Sequence, residues 1–369
     1  MSNNDETTFK QRVEFFWQWF TESADELVRH IDRGHADLEL DRTEDSASTT
    51  DGQSEIAQTV NAMMDMWLPD FNYVFGSEAG KGYSFTLSPN GDVDLRFLAE
   101  YWLSRAPKID RWRFYSSRQP GFDGEFNIEI EGVNFSSADV RFGVEVDLEK
   151  EVVDVVVAHP NFVEDDDINS QVAFIFLDEA LGEVGTEMWV GKIELAGLES
   201  KTPIAIKSLA TEVVSLASMH QWEKQTPEKT YTGYSVEKPG EGYPRSDTIA
   251  GATCHFKLVG EFMEREGLLS GDPVVSHGAQ FVYLSIDAKD FDEENEVQQR
   301  VEIEERLNEL LTERGSGRVL GGATGISHAY IDLMLVDGEA SINLVQQSME
   351  LQNLATRYRI EPFFSPATV

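Results

Sequence analysis

The sequence predicts an α+β protein in which antiparallel sheets are covered by helices, with a C-terminal ferredoxin-like (split βαβ) domain. Three observations predict this class. Amphipathic helices alternate with short strands along all 369 residues, and a hairpin–helix–strand order occurs twice. The last third of the chain has the order strand, helix, strand, strand, helix, strand. Apolar residues make up 41% of the chain, which is enough to bury a core rather than to form a disordered acidic tail.

The chain opens with two predicted amphipathic helices. In the first, over 7–33, apolar side chains recur three and four positions apart, at Phe9, Val13, Phe16 and Phe20. A polar, Ser- and Thr-rich loop over 41–53 follows it. The second helix begins after Ser54 and ends before Pro69, because proline cannot continue a helix.

A hairpin, a helix and a strand are then predicted over 71–117 and again over 140–195. The two copies share no residue-level identity, so the repeat is one of topology. The helices are predicted over 92–105 and 167–181. Hairpins give antiparallel pairs, and their alternation leaves one apolar face for a helix to cover.

The best domain boundary lies over 223–247, which contains three Pro, three Gly and no apolar periodicity. We therefore predict an N-terminal domain over 1–222, a linker over 223–247 and a C-terminal domain over 248–369. A helix that starts at Thr202 and Pro203 closes the first domain.

The C-terminal domain has the clearest pattern. After a predicted helical stretch over 253–266, it is predicted to contain strands over 280–287, 318–322, 329–336 and 358–364, helices over 293–314 and 340–354, and a tight turn over 322–325. This order is that of a ferredoxin-like domain, a fold that hosts too many activities to indicate one.

The charge of the chain excludes two classes of partner. It has 67 acidic and 30 basic residues, a formal net charge of −37, so binding to nucleic acid or to an anionic membrane is not expected. Two explanations of the acidity stay open: a solvated surface suited to salty surroundings, or a surface that attracts a basic partner. The spread of acidic residues over helix faces, caps and turns favours the first.

Cysteine and targeting signals indicate a soluble cytoplasmic protein. Cys254 is the single cysteine, so no intramolecular disulfide and no cysteine-based zinc cluster is expected. The N-terminus is acidic and polar, unlike a signal peptide, and no apolar run reaches the length of a membrane span. The seven histidines form no close metal-binding pair, and no cofactor is predicted.

A glycine-rich segment provides the first candidate site. Five glycines fall within 315–325, and polar side chains lie beside them. The segment predicts either a helix C-cap followed by a tight turn, or a ligand-binding edge. A dinucleotide site is not expected, because here a helix precedes the glycines and a strand follows them. The candidate ligand-binding residues are Arg318, Gly321, Gly322, Thr324 and His328.

The second candidate is a locally basic segment, APKIDRWRFY over 106–115 with Arg118 and Pro120 after it. Together with FWQWF over 16–20, it resembles uncharacterised bacterial proteins of the domain-of-unknown-function kind. The resemblance covers roughly the first third of the chain and implies no activity. Physically, the cations either pair with the acidic majority or form an anion or partner site. They are Lys108, Arg111, Arg113 and Arg118.

No strong catalytic signature is present. The GSEAGKG segment over 76–82 lacks the spacing and the hydroxyl of a phosphate-binding loop, and Cys254 and His255 are adjacent, so on a strand they point apart. The sequence therefore favours a non-enzymatic binding or regulatory protein that acts through a protein partner or a small ligand. The alternative is a hydrolase or transferase with a site near the glycine segment 315–328. Neither the oligomeric state nor the identity of a partner is predicted.

Overall fold

The computed structural model describes the chain except for residues 1–6, 33–54, 79–81, 122–124, 164–166, 197–203, 241, 268, 293, 353–357 and 366–369. The predicted loop over 41–53, Ser54, and the helix start at Thr202 and Pro203 lie outside the described residues. Within the described residues, no helix has the length and apolar character that crossing a bilayer requires.

The chain forms two compact units, each assembled from separate stretches of sequence. Unit 1 comprises Met1–Phe71, Asp92–Asp110 and Glu228–Val369, and unit 2 comprises Asn72–Gly91 and Arg111–Pro227. The division is therefore discontinuous, unlike the predicted split into 1–222 and 248–369. One crossing between the units, at Pro227 and Glu228, falls inside the predicted linker 223–247, which also contains a strand.

The described residues contain both helices and strands, which confirms the predicted α+β class. The helices are α1 (Phe9–Asp32), α2 (Glu55–Trp67), α3 (Val93–Ser104), α4 (Asp167–Leu181), α5 (Glu183–Trp189), α6 (Ile206–Met219), α7 (Phe256–Glu264), α8 (Glu296–Arg314) and α9 (Gly338–Leu351). The first nine strands are β1 (Asn72–Glu78), β2 (Gly82–Ser88), β3 (Trp112–Tyr115), β4 (Asn127–Ile130), β5 (Val133–Ser136), β6 (Arg141–Asp147), β7 (Val152–Ala158), β8 (Val190–Ala196) and β9 (Ile204–Ala205). The remaining strands are β10 (Thr232–Ser235), β11 (Thr248–Thr253), β12 (Leu269–Ser270), β13 (Gln280–Asp287), β14 (Gly317–Gly325), β15 (His328–Leu335), β16 (Tyr358–Pro362) and β17 (Phe364–Ser365).

The helices of unit 1 form where apolar spacing and capping predict them. The apolar stripe of α1 is buried, and Trp17 stacks on Trp102 of α3 with ring centres 4.5 Å apart. Asp92 caps α3 by accepting from the backbone N–H of Asp94 (2.7 Å) and of Leu95 (3.1 Å). The Trp17–Trp102 contact joins α1 and α3 within one core.

A six-stranded sheet forms the centre of unit 1. Its spatial order is β10-β11-β14-β15-β13-β16, and every neighbouring pair is antiparallel. On one face, α8 and α9 close a core with β13 and β15. This core includes Leu284, Ile303, Leu307, Ile331, Leu333, Val345 and Met349.

The glycine segment does not form the predicted turn over 322–325. Strand β14 continues to Gly325, and the chain reverses over 326–327 instead. Glycine is needed here for close approach: a Cβ on Gly321 would lie 2.6 Å from the Cα of Thr253 on β11. The predicted C-cap is confirmed, since Gly315 ends α8 in the left-handed conformation with φ 59°.

Unit 2 contains mixed sheets, not purely antiparallel ones. Its sheets have the orders β1-β2-β3 and β8-β7-β6-β9, with a separate β4-β5 hairpin. The predicted hairpins β1-β2 and β6-β7 are antiparallel, but β3 and β8 lie parallel to β2 and β7. A crossover between the second and third strands returns the chain to the same end of the sheet, which requires parallel pairing.

Candidate functional site

The structure separates the predicted ligand-binding residues along the β14-β15 hairpin. Arg318 pairs with Met334 near the open end, whereas His328 lies next to the turn, beside the Thr324–Ala329 pair. Six residues of extended strand correspond to roughly 20 Å. Arg318 and His328 therefore cannot contact one small ligand together.

Two of the predicted residues, Gly322 and Thr324, face the side of the sheet that α8 and α9 cover. Gly322 and Thr324 pair with Ile331 and Ala329, whose side chains belong to the core under α8 and α9. Directly paired residues of an antiparallel ladder point to the same face. The helix-facing position of Gly322 lies under Arg300, which forms an ion pair with Glu304 on α8. Gly321 points to the opposite face with its partner Asp332.

Arg318 is held by its own unit. Its Nη2 donates to the carbonyl of Glu228 at 2.9 Å, and its guanidinium carbon lies 5.4 Å from the ring centre of Phe97. It also lies 3.8 Å from the Sγ of Cys254. Burial raises the pKa of Cys254 to about 11, so the thiol is protonated at neutral pH and is a poor nucleophile.

His328 lies in a Ser–His–Asp group that lacks the geometry of a catalytic triad. The carboxylate of Asp247 accepts from the Ser327 hydroxyl (2.8 Å) and from the backbone N–H groups of Ser327 (2.9 Å) and His328 (3.2 Å). The imidazole Nδ1 is 3.0 Å from the Ser327 hydroxyl and 4.0 Å from the carboxylate. The carboxylate thus contacts the serine instead of orienting the histidine, as a triad requires. The group stabilises the hairpin turn.

The predicted basic patch is divided between the two units. Lys108 is exposed and belongs to unit 1, whereas the three arginines belong to unit 2. Arg111 precedes β3, and its guanidinium carbon lies 5.2 Å from the ring centre of Tyr83. This distance is typical of a cation–π contact.

The other two arginines have different surroundings. Arg113 forms an ion pair with Glu78 at 3.7 Å, across the sheet of β1, β2 and β3. The backbone N–H of Arg118 donates to the carboxylate of Glu183 at 3.0 Å, so this backbone group helps to fix the start of α5. Of the two interpretations, pairing with an acidic residue is the one observed for Arg113. An anion or partner site on this patch stays a prediction.

A buried cation lies on the face of the six-stranded sheet opposite α8 and α9. Arg245, from the loop before β11, forms an ion pair with Asp332 in the middle of β15, with Nη1 and Oδ1 2.5 Å apart. Both side chains are 0% exposed. A fully buried charge is rare and requires a partner, and Arg245 and Asp332 are partners of each other.

Three aromatic rings enclose the guanidinium. Its carbon lies 5.1 Å from the ring centre of Tyr283, 4.8 Å from that of Tyr330 and 5.3 Å from that of Phe363. We call these three rings and the carboxylate of Asp332 the arginine cage. Aromatic faces attract cations, and the attraction is larger when water is excluded.

The strand pattern explains how the cage forms. Tyr330 and Asp332 are two apart on β15 and therefore point to one face, and Tyr283 is paired with Asp332 across the ladder. Phe363 follows β16 at the neighbouring edge. His328 belongs to the same row, with its ring centre 6.3 Å from that of Tyr330. One predicted site residue therefore borders the cage.

The pKa values of Arg245 and of the tyrosines around it are all raised. Burial opposes the charged form of Arg245, but attraction to Asp332 outweighs it and leaves the pKa raised, so the cation persists. Burial raises the pKa of Tyr283 to about 12 and that of Tyr234, 3.5 Å from Arg245, also to about 12. Burial and a 2.5 Å hydrogen bond to Asp247 raise the pKa of Tyr330 further.

These directions decide what the cage can do chemically. General acid–base catalysis needs a group whose pKa lies near the working pH. The guanidinium stays charged and the three phenols stay neutral, so none of them exchanges protons at neutral pH. The arrangement holds a cation rather than transferring a proton.

Sequence reasoning missed Arg245 as a site residue. Its counterion left a signal, because Asp332 interrupts the apolar run AYIDLMLV over 329–336, and a charge inside a buried strand requires a partner. The partner lies 87 residues away in a Pro- and Gly-rich loop. Nothing local in the sequence distinguishes Arg245 from a solvated loop residue.

A cluster of Asp94, His255 and Lys257 connects the starts of two helices in unit 1. Asp94, in the first turn of α3, lies 2.8 Å from the Nε2 of His255 and 2.8 Å from the Nζ of Lys257, at the start of α7. Burial would raise the pKa of Asp94, but the hydrogen bonds to these two partners lower it overall. His255 also stacks on Phe97. The cluster links α3 and α7 and is explained by that role.

Metal binding and family membership give no further direction. Among the side chains that the structure describes, no three His, Cys, Asp or Glu residues are grouped so that they could hold a metal ion. No family model matches the chain, and no curated protein or solved structure shows significant similarity to it.

Proposed function

We propose that this chain is a non-enzymatic binding protein that recognises an arginine-bearing cationic segment of a protein partner. The observation that carries the proposal is the arginine cage, a desolvated carboxylate surrounded by three aromatic rings that holds a guanidinium. Planar guanidinium groups suit such sites better than ammonium groups do, because they stack on rings and fork onto carboxylates.

The spread of the acidic residues favours a solvated surface, and the same net charge also favours the approach of a cationic partner. A charge of −37 attracts a basic segment over long distances and raises its association rate. Long-range attraction alone does not select arginine over lysine. Selection requires a site with defined geometry, which the cage supplies.

The alternative function, a hydrolase or transferase near 315–328, has less support. Arg318 and His328 lie at opposite ends of the hairpin, and Gly322 and Thr324 face away from His328. The Ser327 hydroxyl contacts the carboxylate of Asp247. No described group in this segment is arranged as a nucleophile with an oriented base.

We also infer that the C-terminal part of unit 1 is a ferredoxin-like unit. Strands β13, β14, β15 and β16 alternate with α8 and α9 in the split βαβ chain order. Their spatial order, β14-β15-β13-β16 with antiparallel neighbours, is consistent with that fold. Strands β10 and β11 extend the sheet at the β14 edge.

The proposal is tested with two charge-matched peptides, hexa-arginine and hexa-lysine, titrated calorimetrically into the full chain at physiological ionic strength. We expect one hexa-arginine per chain and an affinity at least about tenfold above that of hexa-lysine, because only guanidinium can fork onto a carboxylate. Equal affinities, or many weakly bound peptides per chain, would show that charge alone attracts both.

Two matched variants locate the binding. Asp332→Asn and Glu309→Gln each remove one negative charge, the first in the cage and the second on the exposed surface of α8. We expect the Asp332 variant to lose the preference for arginine and the Glu309 variant to keep it. Loss of the preference in both variants, or in neither, would contradict recognition by the cage.

A further inference from the structure

The arginine cage is filled by a residue of the chain itself. Arg245 belongs to the loop between β10 and β11, and its side chain is fully buried between the cage rings. A partner's arginine can enter only if this side chain leaves. The loop therefore controls access to the cage, and three features bear on how readily it moves.

The first feature is a set of hydrogen bonds within the loop, which also packs against the rest of unit 1 where Pro244 lies beside Gly267. Gly240 and Ser246 join its ends, with the Gly240 N–H donating to the Ser246 carbonyl at 2.9 Å and the Ser246 hydroxyl donating to the Gly240 carbonyl at 3.0 Å. Inside the loop, the Ser246 N–H donates to the carbonyl of Tyr243 at 3.0 Å. These bonds join residues of the loop to one another and not to the sheet, so leaving the sheet does not by itself break them.

The second feature is backbone strain at Arg245. Arg245 has φ 64°, in the left-handed region that residues other than glycine rarely adopt. Strain of this kind persists where surrounding contacts enforce it, and it occurs often in ligand clamps and switches. Release of the loop relieves it.

The third feature is incomplete pairing inside the cage. Oδ2 of Asp332 and Nε of Arg245 are buried and make no hydrogen bond to any described group. Arg245 thus uses one of the two carboxylate oxygens, whereas a guanidinium with free approach can bind both. The cage is complementary to a better-placed guanidinium than the one it holds.

We propose that Arg245 is an intramolecular stand-in for the partner's arginine, and that its side chain, carried by the segment 242–246, is an autoinhibitory plug that this arginine displaces. The inference rests on the proposed function and adds a mechanism to it. A site that is occupied by its own chain binds with an apparent affinity reduced by the fraction of molecules in which it is open. Removing the plug residue therefore strengthens binding without adding a contact.

The test compares the wild-type chain with Arg245→Ala and Arg245→Lys, again with hexa-arginine and hexa-lysine. We expect Arg245→Ala to bind hexa-arginine at least about tenfold more tightly than the wild type, because the competing side chain is absent. Arg245→Lys, which retains a cation in the cage but cannot fork, is expected to fall between them. An affinity in the Ala variant equal to or below that of the wild type would overturn the plug, provided that the variant keeps the wild-type circular dichroism spectrum.

A second measurement does not depend on whether the variants fold. Amide hydrogen exchange of the wild-type chain is followed at Ser246 and Thr248, whose N–H groups are held by the carbonyls of Tyr243 and Arg245. We expect saturating hexa-arginine to speed exchange at Thr248, because that bond breaks when Arg245 leaves, while Ser246 stays protected inside the loop. Unchanged exchange at Thr248 would overturn the displacement.

The two proposals fail in different ways. If the wild-type chain prefers hexa-arginine but Thr248 exchange does not change, the binding function stands and the plug is wrong. If neither the wild type nor Arg245→Ala prefers hexa-arginine to hexa-lysine, the binding function itself is wrong.

Discussion

Replacing Arg245 and Asp332, singly and together, gives the most quantitative prediction of the structure. The substitutions are Arg245→Met and Asp332→Leu, which keep approximate side-chain volume and remove charge. Each single change leaves the opposite charge buried at 0% exposure without its counterion. Breaking a buried pair in this way costs about 3–5 kcal/mol.

The double variant should recover most of this loss. Removing both charges removes the uncompensated burial, and apolar replacements of similar volume are often neutral or stabilising. We expect the double variant to lie within about 1–2 kcal/mol of the wild type, so that the coupling energy of the cycle is at least about 3 kcal/mol. Loss of cation–π attraction to three rings accounts for the remaining deficit.

The assay is urea unfolding followed by circular dichroism and tryptophan fluorescence. Because the chain has two compact units, the transition of unit 1 must first be identified. Val155→Ala, in the buried core of unit 2, serves as the marker: it should shift only the other transition. Single variants that cost under about 1 kcal/mol, or a double variant equal to their sum, would refute the buried, coupled pair.

Three further predictions concern other residues. Gly321→Ala should destabilise unit 1 by about 2 kcal/mol or more, because its Cβ would overlap the β11 backbone, whereas Gly233→Ala, with its nearest neighbour 4.0 Å away, should cost about 1 kcal/mol or less in urea unfolding. Burial raises the pKa of the Asp272 carboxyl to about 6. The stability that the protonated carboxyl contributes is therefore complete below about pH 4 and is lost as the pH rises through 6. Asp272→Asn should remove about 1–3 kcal/mol of this pH dependence, and a carboxyl carbon NMR titration reports the pKa directly. Ser327→Ala should cost about 1 kcal/mol, as one hydrogen bond to the turn carboxylate is lost, and His328→Ala less than about 0.5 kcal/mol; a larger loss for His328 in thermal unfolding would indicate a role that its geometry does not explain.

Local patterns predicted individual elements well. Strand β13 has the predicted bounds, Gln280–Asp287, because alternating apolar residues and a charged end define it without outside help. Helix α4 likewise spans the predicted Asp167–Leu181. In both elements, the apolar period and the flanking polar residues predict the same bounds.

The turn predicted over 322–325 in the glycine segment is wrong for a physical reason. Glycine is required both where a chain turns and where another backbone approaches closely, and one sequence cannot distinguish the two needs. At Gly321 the need is close approach to β11, so the strand continues where a turn was expected.

The discontinuous units and the cage lay beyond local reasoning because both depend on long-range contacts. The backbone N–H groups of Phe9 and Lys10 donate to the carbonyls of Gly278 and Val336, at 3.0 Å each, which places the first helix with the C-terminal sheet. Asp332 signals a buried partner, but the partner could be any basic residue of the chain. Only the fold brings Arg245 to it.

The heat of hexa-arginine binding, measured at neutral pH in two buffers with different protonation enthalpies, tests most directly whether the cage is a binding site of fixed charge. We expect one peptide bound per chain with the same heat in both buffers, because the raised pKa values of Arg245 and of the surrounding tyrosines keep the guanidinium charged and the phenols neutral in this range. Absence of saturable binding would contradict the proposed function. A heat that changes with the buffer would show proton transfer on binding, and would contradict a site that holds its ligand through fixed charges.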